Sequence, residues 1–200
     1  GGGPPPGGGG KADAPEPAQE QENEFFTENL NATHNRAGFS CGVQQVDNFF
    51  HKTAGKLDRS DNIRVRVMVN RQGDLLGFYA LNAHATDYKD LPKKFSRTAP
   101  SHGSIPTAFI SMIGRDERYR GQSIGQDLLV DALYSIKRAS KEMGLAIVML
   151  DVLDCGDDVK VRNRIAIYTQ FGFEPMESQP LRMFMQVRDI DSSIKNALGG

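Results

Sequence analysis

The sequence predicts an α/β fold: a mixed central sheet with flanking helices, and an N-terminal helix placed before a β-hairpin. Three patterns lead there. Residues 63–69 and 75–81 are short apolar-rich runs joined by Asn70-Arg71-Gln72-Gly73-Asp74, a hairpin signature. Residues 123–143 carry Ile124, Leu128, Leu129, Ala132, Leu133, Ile136, Ala139 and Met143 at a 3.6-residue period, the mark of an amphipathic helix. Residues 145–152 are then continuously apolar, as suits a buried strand parallel to the previous one.

In chain order, residues 1–22 are rich in Gly, Pro, Glu and Ala and are expected to be disordered, since they offer no apolar surface to offset ordering entropy. One folded domain is expected over 23–190, with a flexible end at 191–200; a chain of 200 residues suits a single core. A helix is predicted from Val43 to Lys56, with Val46, Phe49, Phe50 and Ala54 on one side. In the first hairpin strand Ile63, Val65, Val67 and Val69 alternate with Arg64, Arg66 and Met68, which leaves one wet face. Leu91 to Pro106 reads as a loop and Thr107 to Ile113 as a central strand. Gly144 is placed to stop the long helix, whose Asp127, Asp131, Lys137, Arg138 and Lys141 point away from the core. A second helix over Lys160–Phe171 and a last strand over Leu181–Val187 complete the order strand–helix–strand–helix–strand.

Composition narrows the function classes. No apolar run approaches the roughly 18–20 residues of a membrane span, and no charged segment followed by an apolar one marks a secretory signal. Cys41 and Cys155, without CxxC spacing, are expected to be reduced thiols of a cytoplasmic protein. The four histidines lie 17, 33 and 18 residues apart, with no paired ligand spacing, so no metal site is expected. Net charge is −1, but residues 1–24 hold −4, leaving a mildly basic body compatible with a polyanionic ligand.

Arg120-Gly121-Gln122-Ser123-Ile124-Gly125 opens the long helix. A turn from strand into helix leaves backbone N–H groups unpaired at the positive end of the helix dipole, a ready phosphate site, and glycines allow close approach. Alone the signal is weak, and two competitors need testing. Gly121-Gln122-Ser123-Ile124-Gly125 matches the G-x-S-x-G nucleophile elbow, but that arrangement needs a histidine after the serine, and His34, His51, His84 and His102 all precede it. A dinucleotide turn needs a third glycine and an acidic residue about 20 positions on; Asp151 is near the right zone, but the glycines are one short and no earlier βαβ partner is evident.

Arg120-x-x-Ser123-x-Gly125, followed by Leu128-Leu129, resembles the acyl-CoA loop of the GNAT acetyltransferase superfamily. His34, Phe39-Ser40-Cys41-Gly42, Val46-Asp47-Asn48-Phe49-Phe50, Gly77-Phe78-Tyr79-Ala80-Leu81, Leu91-Pro92, Pro106 and Tyr168 to Phe173 are together similar to one branch, the GNAT toxins of bacterial toxin–antitoxin pairs. The resemblance spans about Phe25 to Arg188. The departure is Ser123, where the family pattern has glycine: at φ > 0 a serine costs on the order of 1 kcal/mol. Ser123-Ile124-Gly125-Gln126 also scores as a capping box, so the hydroxyl would either cap an amide or donate to phosphate.

The resemblance implies acetyl-CoA as co-substrate, held by Ile113, Gly114 and Arg115 on the strand and by Arg120, Gly121, Gln122, Ser123, Ile124 and Gly125 on the loop. One strand N–H would polarise the thioester carbonyl. Tyr168 would be the general acid for the departing thiolate. It further implies the α-amine of aminoacyl-tRNA as acceptor, inhibition of translation, a homodimer and a ribbon-helix-helix antitoxin. Amine basicity is consistent with that acceptor: at pH 7 roughly a tenth of an α-amine is neutral, against under a thousandth of a lysine, so no strong base is needed. Asp116 and Glu117 read as solvated surface carboxylates at the turn. Arg115, Arg118, Arg120, Lys137, Arg138, Lys141, Arg162 and Arg164 are the basic residues available to RNA. An ordinary GNAT enzyme acting on a small amine or a protein N-terminus, and a non-catalytic CoA-binding module, remain the alternatives.

Overall fold

The computed structural model describes residues 2–3, 24–97, 101 and 103–199. Apart from residues 2 and 3, the stretch 1–22 expected to be disordered lies outside the described residues, as does His102. Seven strands form one sheet in the order β1-β2-β3-β4-β5-β7-β6: β1 (Phe25–Asn29), β2 (Arg64–Asn70), β3 (Leu75–Asp87), β4 (Ser104–Arg115), β5 (Ile147–Asp151), β6 (Glu174–Pro175) and β7 (Arg182–Gln186). Neighbours are antiparallel except β4 and β5, which are parallel. That parallel pair is the one the long helix must cross between, as the continuous apolar run of 145–152 predicts.

Helices α1 (Gln44–Asn48) and α2 (Ala54–Arg59) are joined by a π-helical turn at Phe49–Thr53. The predicted helix is therefore present but carries a local widening, and Phe49 and Phe50 both stack on Phe78, with ring centroids 6.1 and 4.1 Å away. With Val46, Ala54, Val65, Val67 and Val69 they form the core on one sheet face. On the other face α3 (Ile124–Ala139) lays Leu128, Leu129, Ala132, Leu133 and Ile136 against Met68, Tyr79, Ile110, Val148 and Leu150. A third cluster, with Leu91, Phe95, Ile147, Met149 and Phe184, covers the far end.

The remaining helices are α4 (Asp158–Gln170) and α5 (Ile190–Gly199). The end expected to be flexible is helical, because Ile190 and Ile194 recur at helical spacing and are buried beside α3. Helix α3 stops at Ser140, four residues before Gly144, and Met143 is 54% exposed rather than part of the apolar stripe. Strand β3 outruns its predicted end at Leu81 because β4 starts at Ser104 and pairs with it as far as Asp87, so Ser104–Pro106 is strand rather than loop. Asp131 does not point to solvent: its carboxylate accepts from Tyr79 Oη at 2.6 Å and Thr27 Oγ1 at 3.0 Å, tying α3 to β1 and β3.

Candidate active site

The register of the sheet creates an opening. Strand β4 pairs with β5 only over Thr107–Ile110 opposite Ile147–Leu150. Its pairing with β3 shifts between Ala80 and Leu81, which leaves Ser111 as an extra residue on β4. A bulge bends and twists its strand, so β4 and β5 part after Ile110 and Leu150. The edge of Met112, Ile113, Gly114 and Arg115 that faces away from β3 has no strand partner among the described residues. Gly114 has a packing reason of its own: an added Cβ would meet Val46 Cγ1 at 2.8 Å and Phe78 Cε1 at 3.0 Å.

The loop after β4 is anchored by Asp116, contrary to its reading as a solvated carboxylate. It is buried, and its carboxylate accepts from the amides of Ser40 (3.2 Å) and Arg118 (2.9 Å) and from the Arg118 guanidinium. Its own amide donates to Leu76 O, and Glu117 N donates to Ser40 O. Glu117 is half-exposed and pairs with Arg120 at 3.7 Å.

Beyond Asp116 the chain turns twice through left-handed backbone, at Gly121 (φ +81°) and at Ser123 (φ +60°, ψ +19°). Ser123 thus occupies the conformation that favours glycine. The capping box is not formed, and Ser123 makes no side-chain cap hydrogen bond. A capping serine needs extended backbone to aim its oxygen back at the third helical amide, which the left-handed geometry denies. The amides of Gly121, Ser123, Ile124, Gly125 and Gln126 find no acceptor among the described residues. An added Cβ at Gly121 or Gly125 would meet nothing within 4 Å. Ile124 contributes only its backbone here, since its side chain is in the core.

Tyr168 is the buried residue of α4, 8% exposed, with its ring edge-on to Phe173 at 5.9 Å. It shares an apolar cluster with Ile113 and Ile124. The turn after it is closed by Phe173 N donating to Tyr168 O, with Gly172 at φ +88°. Its hydroxyl has no hydrogen-bond partner among the described residues. Burial pushes the phenol above its usual pKa, and Arg164 opposes this more weakly. The phenol therefore holds its proton at neutral pH.

A cleft of about 420 Å³ lies between the start of α1 and the start of α4, lined by Gly42, Val43, Gln44, Gln45, Asn48, Cys155, Asp157 and Lys160. Spacing in the sequence gives no sign of it, because its walls are residues 42–48 and 155–160, brought together by the sheet. The cations proposed for RNA divide into two groups. Arg118, Arg120 and Lys137 pair with Asp116, Glu117 and Asp191, whereas Arg115, Arg138, Lys141, Arg162 and Arg164 have no carboxylate partner among the described residues.

The architecture is that of the GNAT acetyltransferases. The chain is 55% identical over 160 residues to a protein named probable toxin TacT from Sinorhizobium fredii (strain NBRC 101917 / NGR234), covering 80% of this chain and 88% of the relative. It is 27% identical over 151 residues to a tRNA-acetylating toxin of Mycobacterium tuberculosis (strain ATCC 25618 / H37Rv), covering 76% and 85%. Among solved structures, AtaT complexed with acetyl-methionyl-tRNAfMet matches with a TM-score of 0.73 at 19% identity, over 84% of this chain and 98% of that one. A tyrosine-to-phenylalanine variant of KacT matches with a TM-score of 0.72 at 20% identity, over the same shares. No protein-family model matches the chain. The chain belongs to the TacT-like toxins, the branch of the GNAT acetyltransferase superfamily found in bacterial toxin–antitoxin systems.

Proposed function

We propose that this protein transfers the acetyl group of acetyl-CoA to the α-amine of an aminoacyl-tRNA and so blocks translation. The observation that carries the reading is the set of amides of Gly121 and of Ser123 to Gln126, unpartnered among the described residues and set on a left-handed turn, with a buried, proton-holding phenol in the same apolar cluster as the loop.

The residues present fit an acyl-CoA. The free amides of Gly121, Ser123, Ile124, Gly125 and Gln126 suit a pyrophosphate at the positive end of α3, and the open space over Gly121 and Gly125 leaves room for it. Arg120 and Gln122, exposed on the loop, flank that position. The unpaired edge of Ile113, Gly114 and Arg115 suits the amides of a pantetheine arm laid along β4 as a surrogate strand. When bound, acetyl-CoA supplies an acetyl thioester already activated for attack. The β4 amides hold the arm and polarise the carbonyl. Tyr168 Oη holds the proton that the leaving thiolate takes up. A neutral α-amine needs no protein base, in keeping with an acidic pair at 116–117 that is used for anchoring and for an ion pair.

The substrate class follows the relatives, one of which is a tRNA-acetylating toxin. The protein would work in the cytoplasm as a homodimer and be neutralised by a ribbon-helix-helix antitoxin. The test is cell-free translation. Synthesis should stop only when acetyl-CoA is supplied, and Tyr168→Phe should relieve the block. Unimpaired translation alongside acetylation of free amines would point to an ordinary N-acetyltransferase. No transfer and no thermal stabilisation by acetyl-CoA would point to a non-catalytic module.

A further inference from the structure

Helix α4 carries Lys160, Arg164 and Tyr168 at i, i+4 and i+8, one row on one face spanning about 12 Å. Lys160 is on the wall of the 420 Å³ cleft, where its ammonium donates to Gly42 O at 3.4 Å. Arg164 is half-buried and close enough to both Cys41 and Tyr168 for its charge to act on each. It makes no hydrogen bond or ion pair among the described residues. Its nitrogens reach solvent, so the guanidinium is free to take an anionic ligand. The nearby carboxylates are already engaged. Asp157 accepts from the amides of Val159 and Lys160, and Asp47 from Cys41 N and Ser40 Oγ. Arg162, two residues from either cation, faces roughly the opposite side of the helix.

We infer that Lys160 and Arg164 form a phosphate track that seats the single-stranded 3′ end of the RNA in the cleft and delivers its aminoacyl group to Tyr168. The inference rests on the aminoacyl-tRNA reading and adds the route by which that substrate enters. Of the remaining lining, Gln44, Gln45 and Asn48 are neutral and can accept and donate to bases or sugar, while Asp157 brings one negative charge beside the two cations.

The test compares acetyl transfer to aminoacyl-tRNA with transfer to the methyl ester of the same amino acid, which has an α-amine but no phosphate. For Lys160→Ala/Arg164→Ala the expected result is a rise in KM for aminoacyl-tRNA of roughly tenfold or more, with the ester rate falling far less. The slope of log kcat/KM against log salt should flatten by about 0.7 for each single-strand phosphate that the variant no longer neutralises. Arg164→Lys should keep most of the slope, and Lys56→Ala, an exposed charge on α2, should change neither reading. If the double variant slows the ester as much as the tRNA, Arg164 serves the phenol or the fold and the inference is overturned. An unchanged tRNA KM and salt slope also overturn it, while leaving the substrate reading intact. Wild-type protein that acetylates the ester but not aminoacyl-tRNA overturns both.

Discussion

Ser123 offers the sharpest quantitative test, because its backbone and its hydroxyl make separable contributions. Its φ of +60° places an L-residue in left-handed space, at a cost of about 1–2 kcal/mol. Glycine at this position removes that strain but gives back roughly 0.4–1 kcal/mol through the greater freedom of the unfolded chain. Ser123→Gly should therefore gain a net ~0.5–1 kcal/mol. At about 2–4 °C per kcal/mol for a chain of this size, Tm should rise by roughly 1–4 °C. The hydroxyl makes no cap bond, so Ser123→Ala, which keeps the strain, should leave the Tm of the ligand-free protein within about 1 °C. Differential scanning calorimetry without cofactor reads both. A fall of several degrees in Ser123→Ala would mean that the hydroxyl does cap α3, and a fall in Ser123→Gly would mean that the left-handed strain is absent. Repeating both with CoA measures the second contribution. If the hydroxyl donates to phosphate, CoA should raise Tm less in either variant than in the wild type, and an equal rise in all three would rule out that hydrogen bond.

Other perturbations probe the rest of the site. Gly125→Ala adds a methyl into open space at a helical position, so the ligand-free protein should gain up to about 1 kcal/mol; acetyl-CoA affinity by calorimetric titration should fall, because the same space is the proposed cradle. Tyr168→Phe should lower kcat by about 10²–10⁴-fold while leaving Tm nearly unchanged, since the hydroxyl has no partner to lose. Asp116→Ala strips the acceptor from the amides of Ser40 and Arg118 and should cost about 2–3 kcal/mol, read as a lower urea midpoint. Tyr79, Tyr168 and Cys41 all have raised pKa values, each chiefly through burial, with the Cys41 thiol pushed up to about 12. The folded state thus holds these protons more tightly than the unfolded chain. Their contribution is intact below the ordinary values near 9 to 10 and is lost as pH climbs toward the folded ones, so the urea midpoint should fall progressively above pH 9.

The sequence made the strong periodicities legible and the irregular features illegible, for physical reasons. Leu128, Leu129, Ala132, Leu133 and Ile136 announce α3 because a one-sided helix must repeat its apolar residues. Ile147–Leu150 announce a strand buried on both faces. Phe25-Phe26-Thr27 does not alternate and Glu174-Pro175 is two residues long, so neither edge strand is visible beforehand. The left-handed turn proposed to hold phosphate is legible through Gly121 and Gly125, yet the same letters write a false capping box at Ser123, because side-chain spacing cannot report a backbone dihedral. Asp116 reads as a solvated turn residue, since its partner Ser40 is 76 residues away. Long-range pairing likewise hides Asp131 beneath Tyr79 and keeps the cleft between α1 and α4 out of view.

The two halves of the proposed site are held with different firmness, and this assigns Tyr168 a second task. The turn proposed to hold phosphate sits on a rigid frame. Asp116 ties the end of β4 to Ser40 and β3, and Leu128 packs so closely over Gly77 that a Cβ there would lie 2.5 Å from its Cδ1. Its free amides are thus fixed before any ligand arrives, which is what electrostatic preorganisation requires. Helix α4 is held mainly by side-chain packing, with Val161 and Ile165 half-buried against the core beside Tyr168. Tyr168 is its buried residue, while Val159 and Ile167 are 56% and 41% exposed. The ring that carries the proposed acid is also the most deeply buried side chain of the helix. Phenylalanine keeps the packing and removes the proton; alanine removes both and loosens the helix that carries Lys160 and Arg164. Loss of activity in an alanine variant would therefore say little about chemistry, and the phenylalanine variant is the one that isolates the acid.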